Sequence, residues 1–222
     1  IFIDMFETFG NYGLVHPMDS LLELYKLPNI KDYDVLIFQT NSIFYKDYRQ
    51  QMIEEAHKYH IPVVSINDPI KDCVYVGTDN QQAIYKLTQT ILAKRNCQKV
   101  AYVSGPMSSR EARLRKAGFL QATKDLEDIQ IIEGNWNTID GQIAGEKLFN
   151  NLPELVVCAN DNLAHGVIDY FQQKGLEVGK DVYVTGFDNI TIAKASSPRI
   201  TTISRDYHTI TYTALKTARD LI

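Results

Sequence analysis

The 222-residue chain has 45% hydrophobic and 23% charged residues, which is typical of an ordinary globular protein. Its net charge of −4 argues against a domain that binds DNA by itself, because binding to phosphates usually needs a basic surface. No apolar stretch approaches the roughly 20 residues of a membrane span. Three cysteines at no metal-ligand spacing favour reduced thiols in a cytoplasmic protein.

Short apolar runs alternate with amphipathic stretches along the whole chain. Most of these runs are continuous, as in strands that helices cover on both faces. Repeated strand–helix–strand units predict an α/β fold with parallel sheets. There are too many units for one short sheet, so we expect two Rossmann-like lobes joined by ordered crossing strands. The predicted strands are 35–38, 63–66, 74–77, 100–104, 129–132, 155–159, 182–187 and 200–204, and the predicted helices include 48–59, 80–93 and 162–173.

Polar residues follow four of the predicted strands. Ligands of open parallel sheets bind beyond the carboxyl ends of the strands, so these positions predict a polar pocket. The same residue types also form turns and helix N-caps, and we expect Ser108 and Asp161 to act as caps. The positions are Asn67 and Asp68, the segment 105–109, Asn160 and Asp161, and Asp188 and Asn189.

The sequence contains no recognisable catalytic constellation. It lacks a G-x-S-x-G elbow, a phosphate-binding glycine loop and a G-x-G-x-x-G motif after a strand. His57 and His60 share a helix face, but beside Lys58 and Tyr59 they are interpreted as a solvated helix end. We therefore expect no catalysis, no metal and no cofactor.

Five segments together resemble the effector-binding domain of the lactose-repressor/galactose-repressor (LacI/GalR) family. They are DVLIF…HIPVVSIND, VYVGTDNQQA, KVAYVSGPMSSREARLRKAGFLQA, VVCANDNLAHGVIDYFQQKGLEVGKDVYVTGFDNI and SSPRITTISRDY, and the resemblance covers residues 34–222. It implies the periplasmic-binding-protein type I fold. Residues 1–33 fit the family poorly. The opening IFIDMF looks like the middle of a strand, so we interpret the first residue as a truncation point or as the first ordered residue.

The resemblance also implies contacts with a small polar ligand, which is expected to be sugar-like. The family's effector-contacting arginine falls on Arg113, and Ser109 is a further contact at the start of the same helix. A guanidinium with five fixed donors suits vicinal hydroxyls or a carboxylate.

Four more positions complete this implied site. Trp136 falls where an aromatic ring stacks on the ligand, and sugar C–H faces stack well on such rings. Asn160 falls at a polar contact that can both donate and accept, and Asp188 falls at an acceptor carboxylate. Asn67 stands where many family members carry an acidic contact, so this chain lacks an ionised acceptor there.

The family architecture implies one lobe from residues 1–77 with 201–222 and another from 78–200, with the ligand in the cleft between them. It further implies a homodimer that transmits ligand binding to an attached domain. In ordinary members that domain is a helix-turn-helix which binds operator DNA, and we expect it to lie outside this chain. Two alternatives remain open. They are the sensor domain of a signalling enzyme, such as a cyclic-dinucleotide cyclase, and a solute-binding protein of a transporter.

Overall fold

A computed structural model describes residues 29–40 and 46–222 of the chain. The predicted strand-like opening IFIDMF and most of the poorly matching segment 1–33 lie outside these residues. The described chain forms two compact units, and each is presented by itself. One comprises the described residues up to Thr78 together with Asp206–Ile222, and the other comprises Asp79–Arg205.

The first unit is built on a parallel sheet with the strand order β1-β2-β3 in its described part. Helix α7 packs on this sheet, and its small residues Ala214 and Ala218 allow close contact with Val64 of β2. On the helix α1 side, a second apolar cluster includes Ile53 and Val63. The elements are a short 3-10 turn (Ile30–Asp32), β1 (Leu36–Gln39), α1 (Lys46–Lys58), β2 (Val63–Ile66), β3 (Val74–Val76) and α7 (Tyr207–Asp220).

The second unit carries a larger parallel sheet, with the strand order β5-β4-β6-β7-β8 among the described residues. Its central strands are fully buried apolar runs, as expected for a sheet between two helical layers. The strands are β4 (Lys99–Ser104), β5 (Asp128–Glu133), β6 (Leu155–Cys158), β7 (Tyr183–Asp188) and β8 (Thr201–Ser204). The helices are α2 (Asn80–Arg95), α3 (Arg110–Ala122), α4 (Thr138–Phe149), α5 (Asp161–Gln173) and the short α6 (Thr191–Ala195).

Helices α4 and α5 pack at unusually short range. Two glycines make this possible, because a Cβ at Gly141 would clash with the carbonyl oxygen of Leu163 and one at Gly166 would clash with that of Thr138. Each backbone therefore lies directly against the other helix. Helix α4 was not among the predicted helices.

The predicted α/β class with parallel sheets is confirmed, and all eight predicted strands are present with ends shifted by at most a residue or two. The two units divide after Thr78 and after Arg205, whereas the expected lobes divided at 77/78 and at 200/201. Strand β8 pairs in register with β7, with Thr201 beside Thr185 and Ser204 beside Asp188. Residues 201–205 consequently belong to the second unit. Within the described residues, no helix has both the length and the apolarity needed to cross a membrane.

Candidate functional site

The candidate site lies at the carboxyl edge of the five-stranded sheet in the second unit. Strands β4, β6 and β7 end there, because parallel strands bring their carboxyl ends to one edge. Gly105 follows β4, Asn160 follows β6 and Asp188 is the last residue of β7. The polar positions predicted after these strands are therefore at one edge of the sheet.

Four charged side chains at this edge form a row of alternating sign. Arg115 Nη2 lies 3.5 Å from Asp188 Oδ1, and Arg205 Nη1 lies 3.6 Å from the same oxygen. The Nη2 atom of Arg205 in turn lies 3.3 Å from Glu111 Oε1. The side chains are only 2 to 17% exposed. Charges removed from water to this extent need partners, and the row supplies them.

Arg115 is fixed on three sides besides its contact with Asp188. Its Nε donates to Asn80 Oδ1 at 2.8 Å, and its Nη1 donates to the carbonyl oxygen of Ala159 at 2.6 Å. The guanidinium lies 3.7 Å from the centre of the Phe187 ring. Burial lowers the pKa of Arg115, an effect that the carboxylate of Asp188 opposes. An arginine held this rigidly presents its donors in a fixed direction.

Asp188 lies in a turn whose backbone conformation is unfavourable for a non-glycine residue. Its φ is 105° and that of the following Asn189 is 53°, both in the region that non-glycine residues seldom occupy. The buried carboxylate of Asp161 holds the turn, since it accepts from the backbone N–H of Ile190 at 2.9 Å and from the hydroxyl of Thr202. The strained turn directs Asp188 into the row of charges.

The Asp188 carboxylate retains capacity to accept further hydrogen bonds. Burial raises its pKa, while the charges of Arg115 and Arg205 oppose that rise. Both arginine contacts are longer than the 2.7–2.9 Å or so of a tight charge-assisted hydrogen bond. Because an ionised carboxylate has about four acceptor sites on its two oxygens, this group can accept further hydrogen bonds from hydroxyl groups.

Trp136 lies beside the row of charges. Its half-buried ring is packed against Gly105 so closely that a Cβ there would clash with the ring, and it lies 5.5 Å from the guanidinium of Arg115. The Trp136 carbonyl accepts from Asn160 Nδ2 at 3.0 Å and from Asn162 Nδ2 at 3.2 Å. The side chains of α5 therefore anchor the loop that carries the ring.

Asn160 and Ser109 both cap helices. Asn160 Oδ1 accepts from the N–H of Leu163 at 2.9 Å, and Ser109 Oγ accepts from the N–H of Ala112 at 3.4 Å. The predicted caps were Asp161 and Ser108, and both assignments were one residue off. Asn160 also contacts the Trp136 loop and so belongs to the site. The ligand contact expected of Ser109 stays a prediction.

Arg113 lies apart from this row. Its side chain is exposed, and its Nη1 donates to the carbonyl oxygens of Met107 and Ser108 at 2.8 and 2.9 Å. The structure brings Arg115 to Asp188 instead. The role of Arg113 as the effector contact stays a prediction, but the geometry favours Arg115 for that role.

Asn67 belongs to the first unit, directly after β2. It is buried, its φ is 78°, and its N–H donates to the carbonyl oxygen of Val76 at 3.1 Å. Asparagine tolerates this left-handed conformation better than most residues. Its predicted ligand contact remains a prediction.

Four residues of this site were not predicted from the sequence, although local patterns pointed to three of them. Arg115 shares one helical face with the buried residues Ala112, Phe119 and Ala122, a spacing that predicts an inward side chain. Arg205 directly follows β8, where the rule about strand ends applies as well. Glu111 lies four residues before Arg115 on the same buried face, whereas no comparable pattern marks Asn80. In the described part of the chain, no group of three or more His, Cys, Asp or Glu residues could hold a metal ion.

These features define the class of protein as an α/β module of two units, each built on a parallel sheet. The sequence profile described as "periplasmic binding protein domain" matches residues 31–222. The chain therefore belongs to the periplasmic binding protein domain family, and its relatives place it with the effector-binding domains of the LacI/GalR type. The family resemblance predicted from the sequence is confirmed.

Two curated relatives illustrate the match. The chain is 29% identical to the lactose operon repressor of Escherichia coli over 68% of its own length and 42% of the repressor. It is 31% identical to the HTH-type transcriptional repressor PurR of Vibrio vulnificus over 71% of its length and 49% of that protein. The chain thus spans about half the length of these relatives. The prediction of a non-catalytic protein agrees with them, since both are repressors.

Solved structures show the same fold. A LacI-family regulator from Enterococcus faecium with bound ribose matches with a TM-score of 0.75 and 21% identity, covering 91% of this chain and 74% of that one. The lac repressor dimer bound to operator matches with a TM-score of 0.75 and 22% identity, covering 91% and 70%. The predicted periplasmic-binding-protein type I fold is confirmed.

Proposed function

We propose that this chain is the effector-binding domain of a LacI/GalR-type transcriptional regulator and that it binds a small polar, sugar-like ligand without catalysis. The observation that carries the proposal is the buried Arg115–Asp188 pair beside the half-buried ring of Trp136. The repressors among the relatives support the regulatory role, and the ribose-bound neighbour supports the ligand class.

The site combines the three contacts that a sugar needs. Arg115 offers fixed N–H donors to ring or hydroxyl oxygens, and Asp188 accepts from hydroxyl groups. Trp136 offers an aromatic face for the C–H side of a sugar ring. Asn160 already uses its amide for the α5 cap and the Trp136 carbonyl, so it contributes by holding the ring in place and through its remaining donor and acceptor capacity.

The pairing of the carboxylates argues against acid–base catalysis at this site. A general acid or base must exchange a proton with the substrate, and its pKa is suited to that step by its surroundings. Asp188 lies between two arginines, and Glu111 pairs with Arg205. Both carboxylates are held as ion-pair partners of arginine, an arrangement that suits binding.

The regulator would act as a cytoplasmic homodimer and would reach operator DNA through a domain outside this chain. The lac repressor neighbour, which is a dimer on its operator, supports this arrangement. Ile139 and Ile143 are exposed one turn apart on α4 and provide an apolar surface for a second copy. Sedimentation equilibrium of the Ile143→Asp variant tests the surface, with Ile131→Asp as the control. Dimerisation that is unchanged in Ile143→Asp would count against it.

The ligand proposal is tested by calorimetric titration of the wild type, Arg115→Lys and Arg113→Lys with ribose, glucose, galactose and adenosine. Lysine keeps the charge but loses the planar fork of donors, so we expect Arg115→Lys to lose about 1.5–3 kcal/mol of binding free energy. Arg113→Lys should bind as the wild type does. The opposite order would move the site to Arg113, and a wild type that binds none of the four probes would overturn the ligand class.

A further inference from the structure

The four charges of the row cancel. Arg115 and Arg205 contribute two positive charges, and Asp188 and Glu111 contribute two negative ones, with each neighbouring pair 3.3 to 3.6 Å apart. Every member is buried or nearly so. Because buried charges interact strongly and are screened little by salt, the balance within the row decides which further charge it can accept.

Two neighbouring cationic side chains have partners outside this row. Arg113 is exposed and donates to two backbone carbonyls, and Lys116 lies 3.4 Å from Glu133 on the surface. Asp161 lies near Asp188 and is buried, with its carboxylate satisfied by Thr202 and the backbone of Ile190. Among these contacts, nothing shifts the balance of the row towards positive charge.

We infer that the site selects an uncharged polyhydroxy ligand over its phosphorylated or carboxylated analogue, and that Glu111 sets this selectivity by neutralising Arg205. The inference rests on the proposed function, since it concerns the ligand of the same site. It adds Glu111, whose ion pair is with Arg205 and not with the Arg115–Asp188 pair proposed to contact the ligand.

The physical reason is the cost of an unmatched buried charge. A neutral hydroxyl donates to Asp188 and accepts from Arg115 without changing the net charge of the site. A phosphate or carboxylate loses its hydration on entry and meets Asp188 as well as arginine, and both arginines already have carboxylate partners. The anionic analogue therefore binds more weakly, even though two arginines are present.

Removal of the Glu111 charge should reverse this preference in part. Glu111→Gln retains the shape of the side chain but leaves the row with one surplus positive charge, centred on Arg205. An anionic ligand then gains a partner that the wild type does not offer. The affinity for the neutral ligand should change far less, because neither Arg115 nor Asp188 is altered.

The test is calorimetric titration with matched pairs: ribose and ribose 5-phosphate, and glucose and glucose 6-phosphate. In the wild type, we expect the neutral member of the bound pair to bind about tenfold more tightly or better. In Glu111→Gln that ratio should fall by about tenfold. Glu133→Gln is the matched control, because it makes the same change of net charge at the exposed Lys116 pair and should leave the ratio unchanged.

The outcomes separate this inference from the proposed function. If the wild type prefers the phosphorylated member, the charge-balance inference is overturned while the proposed function stands. The same conclusion follows if Glu111→Gln folds and its affinity ratio is unchanged. A wild type that binds no probe overturns both. If Glu111→Gln does not fold, the double variant E111Q/R205Q removes both charges of one pair and keeps the balance. It should retain the wild-type preference, and a preference for the anionic member there would also overturn the inference.

Discussion

The Nε atom of Arg115 donates a hydrogen bond to Oδ1 of Asn80 at 2.8 Å, and each of these residues is 1% exposed. Asn80 is the first residue of α2 and directly follows Asp79, where the second unit begins. At the other end of this unit, Arg205 is its last residue and contacts Asp188. The arginine and the aspartate proposed to bind the ligand are thus positioned by residues at the two ends of the second unit.

Replacement of Asn80 tests how far Arg115 depends on it. Asn80→Ala removes the acceptor of a buried guanidinium N–H, so we expect the free energy of unfolding to fall by about 1–3 kcal/mol. Urea denaturation monitored by circular dichroism measures the change. Gln82→Ala, at an exposed position of the same helix, should have little effect. Equal losses in the two variants would show that the hydrogen bond to Arg115 contributes nothing specific.

The strands of this fold were predictable from the sequence because their signal is local. Runs such as LVVC in β6 are buried on both faces, and continuous apolar residues identify such strands directly. The polar residues at the strand ends were also predictable, since chain direction alone brings them to one edge of a parallel sheet. Asp188 and Asn160 were found in this way.

The missed features depend on packing between distant segments. Arg113 was chosen from a motif, although the buried stripe of α3 contains Arg115 two positions further on. The ion pair of Glu111 with Arg205 joins residues 94 positions apart, and no pattern in the sequence connects them. Helix α4 was not predicted. Its glycine Gly141, which counts against a helix locally, lies against α5, and that contact cannot be read from the local sequence.

A substitution at Gly166 should show this conflict between local propensity and packing. Alanine is favoured over glycine in a helix by about 0.5–1 kcal/mol. At Gly166 its Cβ would meet the carbonyl oxygen of Thr138, which cannot move freely, and overpacking of this kind costs about 1–3 kcal/mol. We expect Gly166→Ala to lower the midpoint of thermal unfolding, while Glu146→Ala on the exposed face of α4 leaves it nearly unchanged. A higher midpoint for Gly166→Ala would show that the two helices can separate at little cost.

Glu154 should give the stability of the second unit a measurable pH dependence. Its Oε2 accepts from the backbone N–H groups of Lys99 and Gln98, and these hydrogen bonds lower its pKa from the ordinary 4.5. A carboxylate with a lowered pKa stabilises the fold above pH 4.5, and that stabilisation disappears as the pH falls through the lowered value. Because the group is largely exposed, we expect a contribution below about 1 kcal/mol.

The measurement compares the unfolding free energies of the wild type and Glu154→Gln between neutral and acidic pH. The difference should be present at neutral pH and vanish in acid. Glu127→Gln, at an exposed position, serves as the control and should show no such trend. A difference that is independent of pH would mean that the ionised carboxylate is not what holds the two N–H groups.

The contact of Trp136 with Gly105 provides an optical probe of the proposed site. Trp136 is the sole tryptophan of the chain, so the intrinsic tryptophan fluorescence reports on this ring alone. A Cβ at Gly105 would occupy the space of the ring. We therefore expect Gly105→Ala to displace the ring towards water and shift its emission to longer wavelength, with weaker binding of any sugar that stacks on it. In Gly134→Ala, the added Cβ would lie 3.2 Å from Cβ of Asp140 and not against the ring, so its emission should match the wild type. If Gly105→Ala folds with unchanged emission, the ring does not rest on this glycine in solution, and stacking by Trp136 loses its structural support.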